Sequence, residues 1–345
     1  MRPQNIKKLL KYQLEHGSNP DTEFGSIFLW GPPGIGKSRI VEDVAKELCV
    51  RCIDFRLILC DPTDLRGLPM PITMKDSQGN ETTSVIWVPP DELPREGAGF
   101  LLFDDFLTAP PLVQGASYQI AIRPHQLGPY HLPERYVIVA ASNRIEDRAL
   151  VHKMPTALAN RFRHIELDVN IDDWVDWALT HGIDPIIIGF LKWRPELLFK
   201  FDPESAQSAF PTPRTWEAAD RGLSLPKALM VEVLEGTVGA GAAAEFVSFL
   251  QIQKELPDLN IIFEGDNFVP KSISLKYALV SALASRAKST QFNRLIQYSE
   301  HLPEEFSVLL MLMLTSKDEA AVRLAPSFPQ WVKGHKDLIV SRSML

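Results

Sequence analysis

The sequence predicts an α/β domain, a parallel sheet covered by helices, followed by an all-helical domain. Three observations carry this expectation. Short apolar, β-prone runs alternate with segments of helical spacing as far as about Val169. A glycine-rich turn joins the first apolar run to the first helical segment. Beyond about Asn170 the strand signals stop and amphipathic helical patterns take over.

The elements follow in order. "SIFLW", Ser26–Trp30, is a short apolar run that ends in glycine. Ile40, Val41, Val44, Ala45 and Leu48 then recur at helical spacing. "CIDFRLI", "GFLLF", "YVIVAAS" from Tyr136 and "RHIELDV" from Arg163 read as further strands. Two stretches interrupt the alternation. Leu68–Pro90 places a Gly-Asn turn between two β-prone arms and reads as a projecting hairpin. Arg123–Tyr136, rich in Pro and Gly, reads as a smaller hairpin. Both are expected to lie outside the core, where insertions carry partner or substrate contacts. The domain boundaries are therefore set at 1–169 and 170–345. In the second domain "DDWVDWALTHG" and "PIIIGFLKWRPELL" are helical, and Phe201–Trp216 is a Pro- and Ser-rich break. Trp174, Trp177, Trp193 and Trp216 sit on amphipathic stretches and are expected in the core.

The bulk properties narrow the function classes. The chain has 345 residues, 45% hydrophobic and 23% charged, which suits two or three globular domains. A formal net charge of −7 disfavours whole-surface attraction to nucleic acid or anionic membrane. "RAKSTQFNR" is the one basic, polar segment of note in the tail. The first residues include no apolar stretch of signal-peptide length, and the run Val308–Leu314 is far short of a membrane span. A cytoplasmic chain without membrane insertion is expected. Cys49, Cys52 and Cys60 make neither a disulfide framework nor a zinc site, and buried free thiols are expected.

The chemistry concentrates in a few motifs. "GPPGIGKS" fits G-x-x-x-x-G-K-[ST] and lies between a predicted strand and a predicted helix, the context this motif requires. Gly31, Gly34 and Gly36 let backbone N–H groups curl around phosphate oxygens, with Pro32, Pro33 and Ile35 completing the loop. The helix that begins with Lys37, Ser38 and Arg39 aims its N-terminal dipole at the same charge. Lys37 supplies a point charge to the β- and γ-phosphates, and the Ser38 hydroxyl is a Mg²⁺ ligand. "GFLLFDDFL" ends a buried strand in Asp104, placed to hold Mg²⁺ through its water shell. Its bland alternative is a helix-capping acid, which the accompanying P-loop makes the weaker reading. Asn143 ends "VIVAASN" and is placed to orient a water or touch the γ-phosphate. Arg161 and Arg214 stand alone near helix ends, where a structural ion pair is the ordinary reading. Their order along the chain changes that weighting: P-loop, acid strand, polar strand end, arginine, helical domain, arginine.

That order resembles an AAA+ ATPase. "CDPTDLRGLP", "DDFLTAPPLVQGASYQI", "AASNRIEDRALVHKMPTALANRF" and "FPTPRTWEAADR" resemble the MoxR-type branch, near its CbbQ/NirQ/NorQ-like members. The likeness extends from about Gly25 to Arg221. It implies a P-loop AAA+ core with a helical lid, ATP and Mg²⁺ as cofactors, and roles for particular residues. Lys37 and Ser38 match Walker A, Asp104 the Walker B acid, and Asn143 sensor 1. Arg161 matches the finger that reaches a neighbouring subunit's nucleotide, with Arg163 and Arg148 as alternates. Arg214 matches sensor 2. A finger supplied in trans implies a homo-oligomer, a ring of six in the family. The relatives remodel a protein client, usually with a separate partner carrying a von Willebrand factor A domain, and their inserted loops face a central pore or the client.

One position departs from the pattern. Relatives read Asp-Glu where this chain has Asp104-Asp105. Aspartate and glutamate have similar basicity, so the difference is reach. One methylene fewer withdraws the carboxylate by more than ~1 Å, and a misplacement of about 1 Å can cost ~100-fold in rate. A slow ATPase with ordinary nucleotide binding is expected. Two other readings stay open: a nucleic-acid-associated ATPase of phage or restriction type, and a nucleotide-gated scaffold that barely turns over. The P-loop does not distinguish ATP from GTP.

Overall fold

Apolar runs of the N-terminal half become five parallel strands. The computed structural model describes residues 1–17, 25–75, 81–117, 119–147, 151–205 and 207–335. The chain divides into two units, Met1–Val169 and Asn170–Leu345.

In the first unit the elements run α1 (Pro3–His16), β1 (Ser26–Trp30), α2 (Lys37–Glu47), β2 (Arg51–Arg56), α3 (Pro62–Arg66), β3 (Leu68–Lys75), β4 (Glu81–Val88) and β5 (Ala98–Asp104). They continue with α4 (Pro111–Ala116), β6 (Gln126–Leu127), β7 (Tyr130–His131), β8 (Arg135–Ser142), α5 (Thr156–Ala159) and β9 (Phe162–Glu166). The sheet order is β2-β5-β8-β1-β9, and every neighbouring pair is parallel. Burial explains the order. β1, β5 and β8 are buried almost throughout, as their uninterrupted apolar sequences require of central strands. β2 and β9 each keep several residues exposed and take the two edges. Phe28 at the centre of β1 meets Phe106 and Phe162 edge-on, with ring centroids 5.7 and 5.3 Å apart. This is the architecture expected from the sequence: an α/β core with a parallel sheet, followed by a helical region.

The two excursions differ. β3 and β4 pair antiparallel from Leu68↔Val88 to Lys75↔Glu81, outside the main sheet. The Gly79-Asn80 turn between them lies outside the described residues. The second excursion contains the small hairpin β6–β7, but it does not project as expected. Leu127, Tyr130 and Leu132 are buried in the same core as Phe28 and Phe103. The Tyr130 hydroxyl donates to the Pro94 carbonyl at 2.6 Å. The apolar residues of this segment are spaced by turns, so no periodicity revealed their burial.

The second unit is helical among the described residues: α6 (Ile171–Thr180), α7 (Pro185–Trp193), α8 (Pro213–Gly222), α9 (Lys227–Val238), α10 (Ala240–Ile252), α11 (Asn260–Glu264), α12 (Ile273–Arg286), α13 (Phe292–Ser299), α14 (Glu304–Lys317), α15 (Glu319–Leu324) and α16 (Phe328–Gly334). The run Val308–Leu314 lies in α14, where Leu309 to Leu314 are all buried. No helix among the described residues is long and apolar enough to cross a membrane. Trp216 is fully buried against Phe190 and Phe246, and its indole N–H donates to the Leu197 carbonyl at 2.7 Å. Trp216→Ala should therefore cost about 3–5 kcal/mol through the cavity left behind. The expected result is a lower urea midpoint for the loss of helical circular dichroism, and Trp216→Phe should lose less.

All three cysteines are free. Their expected burial holds only in part. Cys52 and Cys60 are half-buried, but Cys49 is exposed at a left-handed turn (φ +53°) just after α2.

Candidate nucleotide site

Lys37, Ser38, Asp104 and Asn143 gather at the carboxyl edge of the parallel sheet, where α/β folds place their ligands, whereas Arg161 precedes β9 at the amino edge. β1 ends at Trp30, and the chain turns at once into the glycine loop. A side chain at Gly31 would bring its Cβ within 2.5 Å of Ile35 Cδ1. Gly36 caps α2 at φ +96°, a conformation that strains any residue with a side chain. The loop thus delivers the first turn of α2, with its unsatisfied N–H groups, to the strand ends.

Lys37 is 9% exposed, and its ammonium group is fully occupied. It donates to the Gly31 carbonyl at 2.7 Å, the Pro32 carbonyl at 3.0 Å and Asn143 Oδ1 at 2.8 Å. Asn143 directly follows the last residue of β8. Next along α2, Ser38 Oγ donates to Asp104 Oδ2 at 2.6 Å. The other carboxylate oxygen of Asp104 accepts from the Asp105 backbone N–H at 3.0 Å. The consecutive residues Lys37 and Ser38 thus form two adjoining hydrogen-bonded pairs with Asn143 and Asp104, which lie far along the chain.

Asp105 is half-buried, with φ +50° and ψ 38°, at the start of a short 3-10 turn Phe106–Thr108. Aspartate enters this left-handed region far more readily than most residues, because its short side chain bonds locally. Aspartate at position 105 thus suits the local backbone. Arg39 follows Lys37 and Ser38 in the first turn of α2. It pairs along α2 with buried Asp43 at 3.1 Å.

Two further residues join the site from β2. The β2–β5 register sets Arg56 opposite Asp104. Arg56 Nε lies 3.2 Å from Asp54 Oδ2. Its affinity for a proton is raised first by that contact and then by the fields of Asp104 and Asp105. Burial pushes the Asp54 carboxyl upward, and Asp104 adds to this, while Arg56 works against it. Sequence reasoning missed this pair. Buried Ile53 and Phe55 show that Asp54 and Arg56 share the opposite face of β2, but nothing local says which strand lies beside it.

The arginines are distributed as follows. Arg161 is half-buried just after α5, and its backbone N–H donates to the Leu158 carbonyl at 3.0 Å. Arg163 is exposed on β9, and Arg148 lies outside the described residues. Arg144, next to Asn143, makes a two-point contact with buried Asp147 at 3.0 and 3.3 Å, which raises its proton affinity. Arg214 is exposed in the first turn of α8, behind a capping box made by Thr212 and Thr215. It belongs to the second unit.

No family model matches the chain, and no curated protein matches it either. Solved structures do. RuvB of Thermotoga maritima, a Holliday junction branch migration motor, aligns at 16% identity with a TM-score of 0.39, covering 84% of this chain and 86% of that one. A point mutant of the same protein aligns at 17% identity and TM-score 0.39, covering 82% and 84%. A Cytophaga hutchinsonii protein, assigned without proof as an ATPase, aligns at 14% identity and TM-score 0.35, covering 96% and 87%. Likenesses this distant carry no assignment of activity.

Proposed function

We propose that this chain is an AAA+ ATPase that remodels a protein client. The observation that carries the reading is the convergence of Lys37, Ser38, Asp104 and Asn143 beneath a P-loop. A helix N-terminus alone would bind many anions, but this set supplies a cation, a hydroxyl, a carboxylate and an amide at one strand edge.

The residues fit a Mg-nucleotide. Mg²⁺ takes one or two protein ligands and fills its shell with water and phosphate oxygens. Ser38 and Asp104, already in contact at 2.6 Å, are the residues that would hold it. When bound, the ion would neutralise charge on the transferring phosphoryl group. The loop amides and Lys37 would bind the phosphates, Lys37 exchanging its carbonyl partners for phosphate oxygens. Asn143 would orient the attacking water, and Asp105 would accept its proton. Arg161 of one copy would complete the site of the next, which requires a head-to-tail ring, six-membered in the family the sequence resembles. Arg214 would report the γ-phosphate to the helical unit, acting as a lid. A separate von Willebrand factor A protein and a client in the cytoplasm complete the reading.

The test is steady-state phosphate release from Mg-ATP across protein concentrations. Turnover per subunit should rise with concentration, and Arg161→Ala should reduce it by about 10²-fold or more without weakening nucleotide binding. Concentration-independent turnover unaffected by Arg161→Ala would remove the trans-acting site. A nucleotide-gated scaffold is the second reading, favoured by Asp105 alone. It predicts binding with turnover at the blank level. The nucleic-acid reading has only "RAKSTQFNR" behind it. Within that segment Arg294 is tied to the Ile262 carbonyl at 2.9 Å and Asn267 at 2.9 Å.

A further inference from the structure

The β3–β4 ribbon is unusual for its exposure. Every residue of both strands is exposed except Ile72, which is half-buried. A two-stranded ribbon by itself is only marginally stable in water. Strand alternation sorts its side chains into two faces. Leu68, Met70, Ile72 and Met74 share one face, with Val88 and Ile86 opposite Leu68 and Met70. Five of these six are 42–58% exposed. Their exposed area is on the order of 500 Å², the size of patch that marks a binding surface on a monomer. On the other face Arg66 already covers Trp87, at 5.2 Å from the ring centroid.

The two outer edges of the ribbon are not equivalent. Proline has no N–H, so Pro69 and Pro71 fit the ladder only where that group would point away from the partner strand. They stand opposite Trp87 and Val85. By the same alternation the outward-pointing groups of β3 belong to Pro69, Pro71, Thr73 and Lys75, so two of the four donors are missing. Those of β4 belong to Glu81, Thr83, Val85 and Trp87, and all four donors are present. β4, "ETTSVIWV", is also rich in β-branched residues and contains no proline.

We propose that the outer edge of β4 receives an extended segment of another protein as a third strand. The segment carries apolar side chains at every second position, turned toward the Met70 and Ile86 face. Area argues for a short segment rather than a second copy, because a stable protein–protein interface needs about 800 Å² per partner. Backbone pairing along an open edge supplies the affinity, and alternate side chains supply selectivity. Met70 and Met74 are flexible and polarisable, so the face adapts to different apolar side chains. This reading goes beyond the proposed ATPase and does not depend on hydrolysis.

The probe is a fluorescent eight-residue peptide of alternating valine and threonine with lysine tails, titrated into the full chain by anisotropy. Binding is expected. Val85→Pro removes one outward donor from β4 as Pro71 does from β3, and should weaken binding at least about tenfold. Thr73→Pro, the same change on the other edge, should leave it within about twofold. In the unmodified protein the peptide should slow hydrogen exchange at Thr83, Val85 and Trp87 and not at Thr73. Absence of binding, equal loss in both variants, or protection of Thr73 instead would overturn the proposal. So would a dimer that Val85→Pro converts to monomer, since a second copy would then be the occupant.

Discussion

Lys37→Ala is expected to abolish measurable ATP turnover, lowering phosphate release by at least about 10²–10³-fold. The geometry explains the size of the effect. The ammonium is nearly enclosed, and three acceptors take its three protons. It is thus pre-positioned at the loop, at little entropic cost when phosphate arrives. Alanine would remove the charge and also leave the Gly31 and Pro32 carbonyls and Asn143 without their donor. Two effects should therefore appear together. Affinity for a fluorescent ATP analogue should fall, and the first unit should unfold at lower temperature in the absence of nucleotide. Lys37→Arg is not a rescue, because a planar guanidinium cannot reproduce three converging contacts from one nitrogen. Retention of full turnover in Lys37→Ala would place the phosphates elsewhere.

Asp105 carries the second large effect. Asp105→Asn should lower turnover by about 10²–10⁴-fold with nucleotide binding unchanged, as loss of a general base does. Asp105→Glu is the more informative substitution. Its extra methylene restores reach, and turnover should rise by up to about 100-fold. The left-handed backbone at this position (φ +50°) suits aspartate better than glutamate, so stability should fall by about 1 kcal/mol. An increase in rate paired with a decrease in stability is the expected signature. Equal rates for aspartate and glutamate would sink the idea that reach limits hydrolysis.

The central strands were legible because β1, β5 and β8 are uninterrupted apolar runs, and such runs have few places to go but the middle of a parallel sheet. The glycine loop was legible because its spacing is local and its flanks were readable. Asp104 and Asn143 followed from their places at strand ends. Features set by register between distant segments were not readable. Arg56 stands beside Asp104 only because β2 pairs with β5, and α3, β3 and β4 all intervene along the chain. The left-handed turn at Asp105 has no glycine to announce it. Leu127 and Tyr130 are buried by a hairpin whose two-residue strands are too short to show a period.

The prolines of β3 have a consequence for colloidal behaviour. An exposed ribbon with a β-prone edge invites stacking of chain upon chain into fibrils. Such growth needs two competent sides, one to attach and one to present. Here Pro69 and Pro71 spoil one side, so two ribbons that met through β4 would both present their spoiled edges outward. Assembly by that route would terminate at a pair. The chain can keep one adhesive strand in solution without seeding a polymer.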